Sequence, residues 1–235
     1  PEVGKVRIPR SRRRLGVDQA LRMKLLEESR SKAEAYYLDR YSPINVSRWC
    51  SSTILYGQIC IALAALVDGS KRQQYLDKGT DCLEEMSLFK IKNKHPDPTI
   101  RQQQAEFVKD ISLEAFYHLA SSLNWASVQF KDPRYLDQAL IVCDRALGGA
   151  EAGNQGARWE GERENFWARR LRLEKAMALS VAGRTVEGMD ILIDEIATSQ
   201  QSSEAKEEWG GMDKFGVAAC QKMSEIWENC KTPLP

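Results

Sequence analysis

Residues 75–87 read YLDKGTDCLEEMS and residues 135–147 read YLDQALIVCDRAL. Each opens on Tyr-Leu-Asp and each follows a helix-breaking turn, Asp68-Gly69-Ser70 before the first and Lys131-Asp132-Pro133 before the second. The spacing that follows is helical: Tyr75, Gly79, Leu83 and Met86 in one copy, Tyr135, Ala139, Cys143 and Ala146 in the other. A small residue one turn into such a helix lets a neighbouring backbone come close, and the larger residues after it fill the groove between helices. A third segment, LEKAMALSVAGRTVEGMDILIDEIA (173–197), repeats the layout with Gly188, Leu192 and Ile196.

Working outward, the same period runs through most of the chain, and no stretch alternates apolar and polar residues between hairpin turns. A first helix is expected from Asp18, an N-cap residue type, with Ala20, Leu21, Leu25, Leu26 and Ala33 on one face and Pro43 beyond its end. A second runs from about Asn45 to Val67, and Ser70 caps a third. After the loop NKHPDPT (93–99) comes a helical stretch over 100–130 with a break expected near Asp110 to Ser112. A helix from Pro133 to Leu147 carries Pro in its first turn, where the missing N–H costs nothing. Residues 148–161 read as loop. Glu162 to Ala182 reads as helix ended by Gly183, and Thr185 caps another to about Thr198. A last helix is expected over roughly 204–230, kinked or broken at Gly210-Gly211.

Eight or so helices in pairs, with YLDQALIVCDRAL as the best-formed copy, resemble the tetratricopeptide (TPR) pattern of helix A, short turn, and a helix B with Tyr, a small residue and apolar residues at helical spacing. The copies here are spaced 60 and 49 residues apart, wider than that family's repeat. The Trp-Leu-Gly-Tyr set of helix A is absent, and no proline closes helix B. The resemblance covers residues 45–198. It implies an all-α, right-handed superhelix of antiparallel helix pairs, and a scaffold that binds protein partners, peptides or complex subunits, in its groove. An irregular helical bundle explains the same periodicity. The expected organisation is a basic extended arm over 1–16, one helical domain over 17–230 and a short tail over 231–235.

At 235 residues, with 43% hydrophobic and 29% charged side chains, the chain is long enough to bury a sizeable core and far from a disordered composition. Its net charge of +1 is unevenly spread. Lys5, Arg7, Arg10, Arg12, Arg13 and Arg14 face a single acid, Glu2, within residues 1–14, which leaves 28 basic against 32 acidic side chains in the remainder. The six cysteines form no CxxC pair and fall mostly at apolar helical positions, where a reduced thiol behaves as a small hydrophobe. A reducing compartment, cytoplasm or nucleus, is expected. The chain begins with Pro, so an upstream segment removed by processing, including an organelle presequence leading to a matrix or stroma, fits as well. The longest apolar run, ICIALAALV (59–67), is half the length of a membrane span.

The chain lacks GxxxxGK[ST], GxGxxG, HExxH, GxSxG and paired Cys/His metal spacing. No cofactor or metal is expected, and no enzyme. With two histidines there is little material for nucleophilic triads. His118 lies one turn after Glu114, which reads either as a carboxylate-oriented base or, preferably, as an ordinary (i, i+4) pair on an amphipathic helix.

Two segments point to partners. In KVRIPRSRRR (5–14), arginines along a Pro-containing segment suit RNA phosphates, an acidic protein neighbour or an import receptor. The absence of interleaved aromatics weakens base stacking. In RWEGERENFWARRLRLEK (158–175), Phe166, Arg170 and Leu173 lie near one helical face and Trp167, Arg169 and Arg172 on neighbouring faces. They would grip an acidic peptide or a phosphate. In the structural alternative, the preferred one for this segment, Trp167 packs inward and the arginines pair with nearby glutamates such as Glu162, Glu164 and Glu174. By exposure pattern, Asn124, Gln129, Trp167, Arg169 and Arg172 are the expected lining of a partner groove, with an RNA-binding helical-repeat protein of a ribonucleoprotein assembly as the second reading.

Overall fold

The computed structural model describes residues 11–38, 46–91, 95–148, 166–202, 204–207 and 210–231, without the side chains of 11–18, 36, 38 and 229–231. Over these the protein is all-α. The helices are α1 (Ser11–Leu38), α2 (Val46–Ala64), α3 (Ser70–Ser87), α4 (Pro98–Phe130), α5 (Pro133–Gly148), α6 (Phe166–Val181), α7 (Thr185–Gln200) and α8 (Lys214–Lys231). One isolated antiparallel bridge, Lys206 to Met212, lies outside them. Among the described residues no helix is long and apolar enough to cross a membrane. The chain divides into two compact units, Pro1–Cys82 and Leu83–Pro235, where the sequence suggests one domain over 17–230.

In the first unit α1 packs on α2. Ala33, Tyr56, Ile59, Cys60, Leu63 and Cys82 form the core, with Leu26, Tyr37 and Tyr75 against it. Two features of the expected α1 are corrected. The helix begins at Ser11, so Arg12, Arg13 and Arg14 have helical backbone and not the extended form expected through residue 16, and Asp18 lies inside the helix. Leu21 and Leu25 are exposed, leaving Leu26 and Ala33 to pack. A polar seam replaces the rest of the apolar face. Tyr75 Oη donates to Glu27 at 2.5 Å and Tyr56 Oη to Glu34 at 2.9 Å, while Arg30 bridges the two glutamates at 2.8 and 3.0 Å. The Tyr75 hydroxyl, with Arg30, holds the Glu27 carboxyl below its usual range. Gly79 is buried, and a Cβ there would lie 2.9 Å from the Gly57 carbonyl of α2 and 2.7 Å from Ile61 Cδ1.

In the second unit α4 pairs with α5 and α6 with α7. α6 also packs against both α4 and α5, and α8 against both α6 and α7. One buried cluster joins Leu173, Ala176, Leu192, Phe215, Ala219 and Ile226. Another joins Leu136 and Leu140 to Ala178 and Leu179. Close approach is set by Gly188, whose Cβ would stand 2.6 Å from the Ala176 carbonyl of α6. Ala139 of α5, at the equivalent place in YLDQALIVCDRAL, has no exposed surface.

The termini of these helices have local causes. Asp97 caps α4, its carboxylate accepting from the N–H groups of Thr99 and Ile100 at 2.8 and 3.3 Å, with Pro98 in the first turn. The helix then runs unbroken to Phe130. The break expected near 110–112 is absent because no Gly or Pro interrupts the ladder and Ile111, Leu113, Ala115 and Phe116 carry the buried face across. Gly183, at φ +80°, ends α6, and the Arg184 N–H reaches back to Leu179 O at 2.8 Å. Arg184, not Thr185, is the N-cap of α7; it makes no side-chain cap and pairs with Glu187. Gly210 and Gly211 both take positive φ, 68° and 73°, and form a turn. The last helix therefore starts at Lys214, not near 204.

Candidate functional site

The first helices of the two pairs, α4 and α6, and the helix that follows them, α8, share a cavity of about 310 Å³, lined among others by Tyr117, Arg170, Glu174, Lys214, Phe215 and Lys222. On α6, Phe166 and Arg170 are one turn apart, so the guanidinium carbon lies 4.8 Å from the Phe166 ring centroid. It also lies 5.2 Å from the Tyr117 centroid and 5.8 Å from that of Trp167. Its Nη1 donates to Tyr117 Oη at 3.4 Å. From α8, Lys214 Nζ stands 5.0 Å from the Phe166 centroid and 5.4 Å from that of Phe215. Lys214, Ala218 and Lys222 recur every four residues, which puts both lysines on the cavity side of α8. Ring faces attract cations by about 0.5–2 kcal/mol according to desolvation. They hold these groups in place without neutralising them.

The one carboxylate of the lining among the described residues, Glu174, is already engaged. Asn124 Nδ2 donates to its Oε2 at 3.2 Å and to its backbone carbonyl at 3.3 Å. Arg170, Lys214 and Lys222 thus give the cavity a surplus of positive charge. Phe166, 37% exposed, offers an apolar ring edge beside it. An anion attached to an apolar group is the chemistry such a cavity accepts.

Behind this face lies a buried ion network. Arg169, 4% exposed, donates through Nε to Glu195 Oε1 and through Nη1 and Nη2 to the two oxygens of Asp213, the last at 3.2 Å. Arg172 Nε donates to the second oxygen of Glu195 at 2.9 Å. Two arginines and two carboxylates balance, which burial demands. Asp213 also caps α8, accepting from the N–H groups of Phe215 and Gly216 at 2.9 and 3.1 Å, and its own N–H donates to Ser199 Oγ at 2.7 Å. Burial opposes charging of this carboxyl, but the bonds from Arg169 and the Gly216 N–H outweigh it and hold Asp213 at about 2. The network ties α6, α7 and the start of α8 together. It fixes Phe215 under the Arg169 guanidinium, 4.3 Å away.

The expected groove residues separate accordingly. Asn124 orients Glu174, and Trp167 is half-buried against His118 and Tyr117 with ring centroids 5.6 Å away in each case. Gln129 is exposed near the end of α4. Arg169 is corrected: it is a buried structural cation and lines no groove, because its partners lie on α7 and before α8. Arg172 sits at the edge of the same network. Neither pairs with Glu174 as the structural alternative has it. Glu162, Glu164, Trp159, Lys5, Arg7 and Arg10 lie outside the described residues, as do the side chains of Arg12, Arg13 and Arg14. At His118, burial and then Arg170 push the imidazole down to about 4, the reverse of what an orienting carboxylate does. Glu114 is pushed up, by burial and by Asp110. Sequence reading missed Tyr117, Lys214, Phe215 and Lys222; the signal for the lysines was their spacing with Ala218. Among the described residues no cluster of His, Cys, Asp and Glu is assembled for a metal.

No family model, no curated protein and no solved structure matches this chain.

Proposed function

We propose that this chain is a non-catalytic scaffold or adaptor subunit that holds a protein partner along the face shared by α4, α6 and α8. One observation carries the reading: the first helices of two successive pairs and α8 contribute to a single cation-rich, aromatic-lined cavity. The packing order supports it, since α6 seats against both helices of the preceding pair, the way helix pairs stack in repeat arrays with a TPR-like superhelix. What supports the absence of catalysis is the low-pKa, ring-packed His118, which is poorly suited to accept a proton near neutral pH.

The second reading, an RNA-binding helical-repeat protein in a ribonucleoprotein assembly, is favoured by the basic run at Lys5, Arg7, Arg10, Arg12, Arg13 and Arg14. An intracellular, reducing setting belongs to both readings. Affinity capture from native extract separates them, using the full chain, a chain without residues 1–14 and a Lys214→Glu/Lys222→Glu chain, each with and without nuclease. Proteins that survive nuclease and arm removal but are lost with the double charge reversal support the scaffold. A catch that disappears with nuclease or with the arm gives the function to RNA.

A further inference from the structure

We infer that the α4–α6–α8 cavity selects a peptide side chain bearing a phosphate monoester, an inference that rests on the scaffold reading of that face. Among the described residues, Arg170, Lys214 and Lys222 against Glu174 leave two unbalanced positive charges lining about 310 Å³. None of the three cations has an ion-pair partner among the described residues. Glu174 is held by Asn124 and does not turn to them. A phosphate monoester carries close to two negative charges near neutral pH on one compact group with three acceptor oxygens. A single carboxylate supplies half of that, and a pair of carboxylates needs two side chains in the space of one.

The geometry of the donors fits the same ligand. Arg170 is fixed by three ring faces and by Tyr117 Oη, which leaves most of its guanidinium donors for two oxygens of one anion. The lysines act as point charges from the facing helix. Phe166 and Phe215 supply the apolar wall for the carbon atoms that carry the phosphate. Serine and tyrosine esters share this chemistry, and the test distinguishes them.

The experiment measures binding of the full-length chain to fluorescent peptide pools with randomised flanks. One pool carries phosphoserine at its centre and one phosphotyrosine; others carry the unmodified residue or Glu-Glu, and a single-stranded RNA completes the set. Expected is affinity for a phosphorylated pool about tenfold or more above the Glu-Glu and unmodified pools, reduced about tenfold by Lys214→Ala and by Arg170→Ala. Lys214 is exposed, so its variant tests the site even where loss of the stacked Arg170 disturbs the fold. The better of the two phosphorylated pools identifies the ester. Equal binding of the Glu-Glu pool, tighter binding of the RNA, or phosphopeptide affinity untouched by Lys214→Ala overturns the inference. If no pool binds while affinity capture still yields proteins that depend on Lys214 and Lys222, the phosphate assignment falls and the scaffold stands. If that capture fails too, both fall.

Discussion

Arg169 sits among apolar side chains because three carboxylate oxygens meet it there, one from Glu195 and two from Asp213. Removing the cation strands the buried Asp213 and leaves Glu195 with Arg172 alone, which costs far more than the pair contributes. Arg169→Met is therefore expected to lower unfolding free energy by about 3–5 kcal/mol in denaturant titrations, and Arg172→Met, at the network's exposed edge, by much less. His118 gives a pH prediction. Its folded value near 4 lies below the unfolded 6.5, so the neutral ring is favoured by folding; that stability is complete above 6.5 and drains away as the pH falls toward 4. Proton NMR should find the ring neutral at pH 5.5, and His118→Gln should flatten the stability profile in that window. None of the Arg169 geometry is visible in FWARRLRLEK (166–175). The partners stand 26 and 44 residues further along, and helical spacing reports only neighbours three and four residues away. What was legible was the small-residue code, because a missing Cβ acts where it stands.

At the scale of the element, that code fixes how closely the helices of a pair approach. A methyl group at Gly188 meets the backbone carbonyl of Ala176, which has no rotamer through which to yield, so α7 must move off α6. Gly188→Ala is expected to destabilise by about 1–3 kcal/mol despite its better helix propensity, as read from the denaturation midpoint. Capping makes a second prediction: Asp97→Ala removes the acceptor for two N–H groups at the start of α4 and should cost about 1 kcal/mol, with faster amide exchange confined to the first turn. Helix identity was readable from period, Pro133 and Gly183. Boundaries were less so where tertiary contact decided them. α4 continues through Ser112 because its neighbours bury that face, and 204–207 and 210–213 leave the helix because Asp213 is claimed by Arg169 and Ser199.

Across the whole molecule, the cysteines report on the two cores. Cys50 and Cys60 in the first unit, and Cys143 in the second, are buried, and burial pushes their thiols up to about 12, 11 and 12. All three should stay unmodified by a thiol reagent at pH 8 in the native chain and react on unfolding, with peptide mapping by mass spectrometry giving the order. The all-α class followed from period alone, since a repeating apolar stripe specifies a helix without regard to its partners. The division into two units did not, because the boundary falls inside α3, where the helical period continues without a break. Charge placement has a further outcome. Arg169 and its carboxylates are sealed from water, whereas Lys214 meets solvent directly. Mobile ions screen exposed charges over roughly 8–10 Å at moderate ionic strength and reach buried pairs far less. Concentrated sodium chloride should then release the proposed anionic partner from the α4–α6–α8 face while the helices beneath keep their arrangement, so that a chain that binds one can be loaded and eluted repeatedly on a column.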